Sequence, residues 1–381
     1  MSRATAPLLS ASDRDPVADT CASGAVEIVA SAWAAARMAV ARRLESSSSP
    51  GIPARLLASG WSVVSARRVA RRLELPPGVR AIGVGGATLG GDCKTPFAIA
   101  LATALAARGI DVALVGHAYR ARPSRARIVR PNDDVAEVGD DALFAARRLA
   151  SSHIDVVVAP SRQAAATFAA RRGRYLVFDG LLQARPRRLA RAILLVDGER
   201  SFCDAHCPPA GDLRAPPHAL LRAADTVVAV GDVLDGAEAV SHLEQARCAD
   251  GRAVPLADLR GARLGLLLTI ARPGRVIAGL ARRGLCPVAT FVFPDHHRPT
   301  AAELGRATAR TTHRIDAWLV TGKCATKLPS SLAGAPVLAL EHAVQLSDRL
   351  VTWAASDGPP LPRDFAPAAA DALFPTAGRV G

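Results

Sequence analysis

Apolar residues in this chain fall into short runs that alternate with amphipathic stretches, and the alternation defines most of its elements. Residues 25–44 and 53–73 carry apolar positions at helical spacing, and in the second Leu56, Leu57, Trp61, Val64 and Val69 share roughly one side. From residue 81 the pattern becomes strand, loop, helix. A short apolar run at 81–86 leads into a Gly-rich loop and a helix closed near Gly109. Further apolar runs at 111–116, 154–160, 175–180, 192–198 and 226–232 each end in a polar residue or Gly, and an acidic turn with a helix occupies 133–150. Beyond about 256, four more runs (265–271, 287–293, 315–322 and 336–341) alternate with helical segments at 271–284 and 300–311. Strands alternating with helices predict a parallel α/β sheet whose ligands sit at the strands' carboxyl ends.

The expected division is an N-terminal extension over 1–50, partly disordered; an amphipathic helix over 51–80; a core domain over 81–255; a smaller α/β domain over 256–350; and a disordered Pro- and Ala-rich tail over 351–381. A length of 381 residues, half of them apolar, supports two or three domains with sizeable cores. The charge of +14 comes almost entirely from Arg, since Lys94, Lys323 and Lys327 are the only lysines. An Ala- and Arg-rich, Lys-poor composition has a base-composition explanation, so the charge is weak evidence for an anionic partner. With few aromatics and no recognition motif, nucleic acid is not expected. Seven scattered cysteines do not make a disulfide framework and argue for a reducing compartment. Cys203, His206 and Cys207 lack the fourth ligand of a zinc site and read as loop residues. No apolar stretch is long enough to span a membrane, and no signal peptide is evident. The 53–73 segment, with Trp61 on one side and Arg67, Arg68, Arg71 and Arg72 at its end, fits either an interfacial helix on anionic lipid or a helix packed on its own domain.

The strongest chemical signal is Gly85–Thr95, GGATLGGDCKT, between a strand and a helix. A P-loop of the form GxxxxGK[ST] turns successive backbone N–H groups towards phosphates, with the lysine on the terminal phosphates and the hydroxyl on Mg²⁺. Gly86, Gly90, Gly91, Lys94 and Thr95 fit that pattern, and Cys93 stands where its last Gly belongs. The bland alternative is an ordinary Gly-rich turn.

These segments resemble the tetraacyldisaccharide 4′-kinases. VGGATLGGDCKTP (84–96) is similar to that family's loop, VGNLTVGGTGKTP. VGDDALFAARR (138–148), VFDGLLQ (177–183), PPAGDLRAP (208–216), FPDHHRPT (293–300) and VTGKCATKLP (320–329) resemble further family elements in the same order. The resemblance covers about residues 50–345. It implies a P-loop NTPase-like core with a smaller second α/β domain and N-terminal amphipathic helices. It further implies ATP and Mg²⁺ as cofactors, and phosphorylation of the 4′-hydroxyl of a tetraacyldisaccharide 1-phosphate, the lipid A precursor. The implied location is peripheral, at the cytoplasmic face of the bacterial inner membrane on its anionic surface, with the protein a monomer.

By resemblance, Lys94 and Thr95 hold phosphates and Mg²⁺, and Asp140 is the base, working with His296 or His297. Asp179 and Asp141 lie near the metal, and Arg162 and Tyr119 meet substrate. The departures are Cys93 for Gly, Asp141 for Glu, Phe178 for the first Asp of DDG, an Arg lost around His117, and Gly322 and Cys324 for Glu and Asp. They are expected to fall in the site, which keeps open a catalytically weakened or silent membrane-associated paralogue that binds nucleotide or glycolipid.

Overall fold

In the computed structural model of the protein, residues 26–28, 39, 51–198, 205–231 and 238–356 are described. The chain divides into two compact units, one of 37–242 with 343–381 and a smaller one of 1–36 with 243–342.

The first strand, β1 (Val26–Ile28), belongs to the smaller unit. Its Val-Glu-Ile sequence pairs in parallel with residues 290–292, so the helix expected over 25–44 does not begin there. Ala39 is helical; the rest of that expectation lies outside the described residues.

In the larger unit, helix α1 (Ile52–Ala66) stops short of the helix expected over 53–73. Residues 70–72 form strand β2 instead, paired with a strand at Gln183–Arg185, and Leu73 is buried just after it. Pairing and burial outweigh a helical periodicity that continues on paper. Strands β3 (Arg80–Gly86), β4 (Val112–Val115), β5 (Arg127–Ile128), β6 (Asp155–Val158), β7 (Tyr175–Asp179), β8 (Gln183–Arg185), β9 (Arg191–Asp197) and β10 (Thr226–Gly231) follow. The sheet order is β10-β9-β3-β7-β4-β6-β5, parallel except for β5 on β6. β3 sits centrally, and its Gly83 and Gly85 are needed: a Cβ would meet Leu189 and Leu181 at 2.4 and 2.5 Å, and Leu182 at 2.6 Å.

Helix α2 (Lys94–Ala107) packs Phe97, Ala98, Leu101 and Leu105 on one face of the sheet and ends at Gly109, whose φ is 74°. Helices α3 (Val135–Val138), α4 (Asp140–Arg148), α5 (Arg162–Ala169) and α6 (Pro217–Ala223) complete the crossovers.

Strand β11 (Ala239–Arg247) carries the chain into the smaller unit. After β12 (Ala253–Pro255), β13 (Leu264–Leu268) leads to α7 (Pro273–Ala281), β14 (Ala289–Val292), α8 (Ala301–Ala309), β15 (Ala317–Thr321), α9 (Gly322–Ala325) and β16 (Ser331–Leu332). With β17 (Ala335–Leu346) they make a parallel sheet in the order β1-β14-β13-β15-β17. Gly265 admits the Trp318 ring, which a Cβ would meet at 2.4 Å. This unit starts earlier than the expected 256 and draws a strand from the extension.

The chain then returns to the larger unit as α10 (Asp348–Ala355). Leu350, Val351, Trp353 and Ala354 are buried in the core with α2, so residues 351–355 are folded helix and not tail. Arg191 caps the helix end through Trp353 O at 3.2 Å and Ser356 O at 3.0 Å. Among the described residues the cysteines are not all thiols: Cys207, Cys248 and Cys324 are free thiols, but Cys286 is disulfide-bonded. No helix among the described residues is long and apolar enough to cross a membrane.

Candidate active site

The loop from Gly86 to Thr95 joins the carboxyl end of the central strand to the N-terminus of α2. Ala87 N–H donates to Leu195 O at 2.9 Å, and the 212–214 segment runs antiparallel alongside. Leu89 N–H donates to Asp212 O at 3.0 Å and Arg214 N–H to Ala87 O at 2.8 Å. The segment quoted as PPAGDLRAP therefore clamps the loop. Cys93 is left-handed, with φ 54°, at the cap of α2. That is the conformation for which glycine is favoured.

Thr95 is buried in the first turn of α2, and its hydroxyl donates to Asp179 Oδ2 at 2.6 Å. Asp179 closes β7, the neighbour of β3, so strand order brings the two together. Burial and then the Asp141 charge push the Asp179 carboxyl up to about 6; the Thr95 hydroxyl, Lys94 and Arg162 pull the other way. Two acids opposing each other beside a hydroxyl are an all-oxygen donor set, and that set fits a hard divalent cation. Thr95 and Asp179 are thus in contact, and the Asp141 charge is felt at Asp179.

Asp140 and Asp141 open α4. Gly139, with φ 87°, precedes them, and one carboxylate oxygen of each lies within 4.8 Å of the other. Acids in the first turn and Arg147 and Arg148 in the last complement the helix dipole. Gly116 lets this helix approach the loop after β4: a Cβ there would meet Ala142 at 3.0 Å.

That loop carries His117, to which the sequence pattern assigns no role. Burial first, then Arg162, hold its pKa down at about 4, against the opposing pull of Asp141. His117 is therefore a neutral imidazole at neutral pH. Arg162, at the start of α5, donates to Asp179 O at 3.3 Å and Gly180 O at 3.1 Å. Burial brings it down to about 10, with Asp179 raising it and Arg71 and Arg214 lowering it. Arg214 is likewise lowered by burial, with Asp92 opposing. Arg71, Arg162 and Arg214 thus form a cationic group at the strands' carboxyl ends. Tyr119 is exposed and stacks edge-on against His117 at 5.9 Å.

Phe178 corrects the expectation that every departure falls in the site. It is fully buried with Ala165, Ala166 and Leu181, on the opposite side of β7 from Val177. Cys324 is also buried, and its sulfur accepts from Thr269 N–H and the Thr269 hydroxyl at 3.3 Å each. These two changes belong to the scaffold.

The smaller unit distinguishes the two histidines. His297 Nε2 lies 3.2 Å from both Glu303 oxygens, and its ring stacks on Phe293 at 5.8 Å. Glu303 also closes the capping box of α8 through Thr300. His297 is thus committed to the scaffold. His296 adopts φ 59°, and its Nε2 lies 3.2 Å from the Lys323 ammonium. The same Nε2 lies 3.5 Å from Asp295 Oδ2, so a cation and a carboxylate both face this ring nitrogen.

The sequence matches the family model Tetraacyldisaccharide-1-P 4′-kinase over residues 55–356. It is 35% identical over 272 residues to the tetraacyldisaccharide 4′-kinase of Xanthobacter autotrophicus, covering 68% of this chain and 77% of that one. To that of Gluconacetobacter diazotrophicus it is 32% identical over 302 residues, covering 77% and 90%. The fold is similar to that of LpxK from Aquifex aeolicus, solved in complex with ATP, with a TM-score of 0.58 at 21% identity over 78% of this chain and 97% of that one. This chain belongs to the tetraacyldisaccharide 4′-kinase family.

Proposed function

We propose that this protein transfers the γ-phosphoryl group of ATP to the 4′-hydroxyl of tetraacyldisaccharide 1-phosphate in lipid A biosynthesis. The observation that carries the reading is the Thr95–Asp179 bond beneath a Gly-rich loop bearing Lys94, at the carboxyl end of the central strand. Gly86, Gly90 and Gly91 put no side chains of their own on the loop that faces the phosphates, and Lys94 meets their terminal oxygens. Thr95 and Asp179, with Asp141 beside them, would hold Mg²⁺, which supplies neutralising charge at the β- and γ-oxygens when bound.

Asp140 is the base. The 4′-oxygen bonds to the γ-phosphorus, the bond from that phosphorus to the ADP oxygen breaks, and the hydroxyl proton passes to the Asp140 carboxylate. His296 is the histidine we assign to the reaction, because His297 is held by Glu303. Lys323 and Asp295 both engage His296 Nε2, at 3.2 and 3.5 Å, and so position its ring. Arg162 and the exposed Tyr119 are assigned to the anionic lipid substrate.

The lipid substrate lies in a bilayer, and α1 offers a face to reach it. Leu56, Leu57 and Trp61 are 70, 66 and 46% exposed, with Ile52, Val63 and Val64 also exposed and Arg67, Arg68, Arg71 and Arg72 following. Such a helix suits an anionic bilayer surface. We assign the protein to the cytoplasmic face of the inner membrane as a peripheral monomer.

The test is incubation in detergent with Mg²⁺, labelled ATP and the disaccharide 1-phosphate, beside an Asp140→Asn control. The expected result is labelled lipid that disappears in the control. Folded protein that binds ATP and yields no product would establish the silent-paralogue alternative.

A further inference from the structure

Asp92 lies inside the phosphate-binding loop and is 1% exposed. Its Oδ2 accepts from the Thr88 backbone N–H at 3.0 Å, and its Oδ1 accepts from the Thr88 hydroxyl at 2.5 Å. The Lys94 ammonium is 3.5 Å from Oδ2, and Arg214 feels the same carboxylate. The carboxylate also lies against Gly86, where a Cβ would stand 2.1 Å from Oδ2 and 2.9 Å from the lysine nitrogen. A loop amide, a hydroxyl, the loop lysine and a nearby guanidinium are the partners such a loop presents to a phosphate group. In the similar family loop, GGTGKT, a neutral threonine stands at this position; here it is GGDCKT.

We propose that the Asp92 carboxylate is an internal stand-in for phosphate, occupying the cradle and holding Lys94 until a nucleotide triphosphate displaces it. Asp92 is thus a positioning residue that sets nucleotide affinity. It keeps the lysine's charge compensated in a buried loop, where an unpaired ammonium is costly. It also opposes the incoming anion, because the carboxylate's like charge sits among the groups the phosphates need. The inference rests on the ATP-dependent reading above.

Asn keeps the shape and the acceptor for the Thr88 N–H, and its amide can donate to the Thr88 hydroxyl, whose own proton has Gly90 O at 2.8 Å, so Asp92→Asn removes the charge with the contacts retained. Titrating the full-length protein with ATP and, separately, with adenosine, each in EDTA, reads it out. Asp92→Asn is expected to tighten ATP by about tenfold and to leave adenosine unchanged. A purely structural role would weaken both ligands together. Asp92→Thr, which restores a neutral hydroxyl, is expected to behave as the Asn variant and serves if that variant does not fold. ATP binding that is unchanged or weaker in the variant, from a wild type that binds ATP, overturns the inference and leaves the nucleotide reading standing. Equal tightening of ATP and adenosine overturns it too. No ATP binding by either protein, with or without Mg²⁺, overturns the nucleotide reading and this inference with it.

Discussion

The Thr95 hydroxyl donates to the Asp179 carboxylate at 2.6 Å, tying the first turn of α2 to the end of β7. The bond opposes the upward push that burial and Asp141 exert on Asp179 and so favours its charged form. Thr95→Val should let Asp179 move further up, and should cost about 100-fold or more in transfer rate, the scale of a misplaced reacting group. Thr95→Ser keeps the donor and is expected within about tenfold of wild type. Single-turnover rates of the two variants at saturating Mg²⁺ check this. Equal losses for Ser and Val would show that the hydroxyl is not what matters.

Restoring the family's carboxylate at Phe178 should be harmful. The side chain is fully buried between β7 and α5, in a cluster of apolar residues. Phe178→Asp removes a large apolar group and buries a charge, and the expected loss is about 4 kcal/mol or more by urea denaturation. Activity should fall with it. A stable, more active variant would contradict the placement of Phe178 in the scaffold.

Cys93→Gly should behave differently. At φ 54° a non-glycine residue carries roughly 1–2 kcal/mol of backbone strain, while glycine loses about 0.5–1 kcal/mol in chain entropy on folding. The net expectation lies between no change and a gain of about 1.5 kcal/mol, read as an unchanged or slightly raised melting temperature. A fall would mean that the Cys93 side chain contributes packing exceeding the strain.

Strand β3, its loop and α2 are legible in the sequence because an apolar run, glycines and a scarce lysine coincide there. Phe178 is not legible as core. A strand buried on both faces shows no polar alternation, so the side towards which residue 178 points is fixed by register and not by pattern. The end of α1 is hidden because Val69–Arg72 continue the helical spacing, and only pairing with β8 reveals the strand. The spacing of Leu350, Val351, Trp353 and Ala354 is a readable helix signal, masked by the Pro-rich stretch after it. His117 and Asp92 matter through burial and neighbouring charge, which become visible only once the loops are placed.

The pH dependence of stability should contain two opposed contributions. His117 falls from an ordinary 6.5 to about 4 on folding, so between these pH values the unfolded chain binds the extra proton and stability rises with pH. Asp179 rises from 3.8 to about 6, so the folded chain holds the extra proton and stability falls as pH rises through that window. Without Mg²⁺ the two largely offset. In EDTA, His117→Gln should show stability falling from pH 4 to 6, and Asp179→Asn should show it rising from pH 4 to 6.5. Urea midpoints across this range are the measurement, and slopes of the same sign in both variants would refute the pair of assignments.

The exposed face of α1 predicts a separable binding function. Leu57 and Trp61 lie one turn apart on a helix whose buried residues are only Ala58 and Ser65, so charged substitutions there cost the fold little. Leu57→Glu with Trp61→Glu should leave the melting temperature within a few degrees of wild type. It should also abolish flotation with vesicles containing anionic lipid, because each substitution removes buried apolar area and adds like charge at the lipid surface. Transfer to substrate in mixed micelles should drop through KM, with kcat retained, since α1 carries none of the groups assigned to phosphoryl transfer. Wild-type flotation by the double variant would assign α1 to a partner other than the bilayer. A loss of kcat at unchanged KM would place the helix in the chemistry itself.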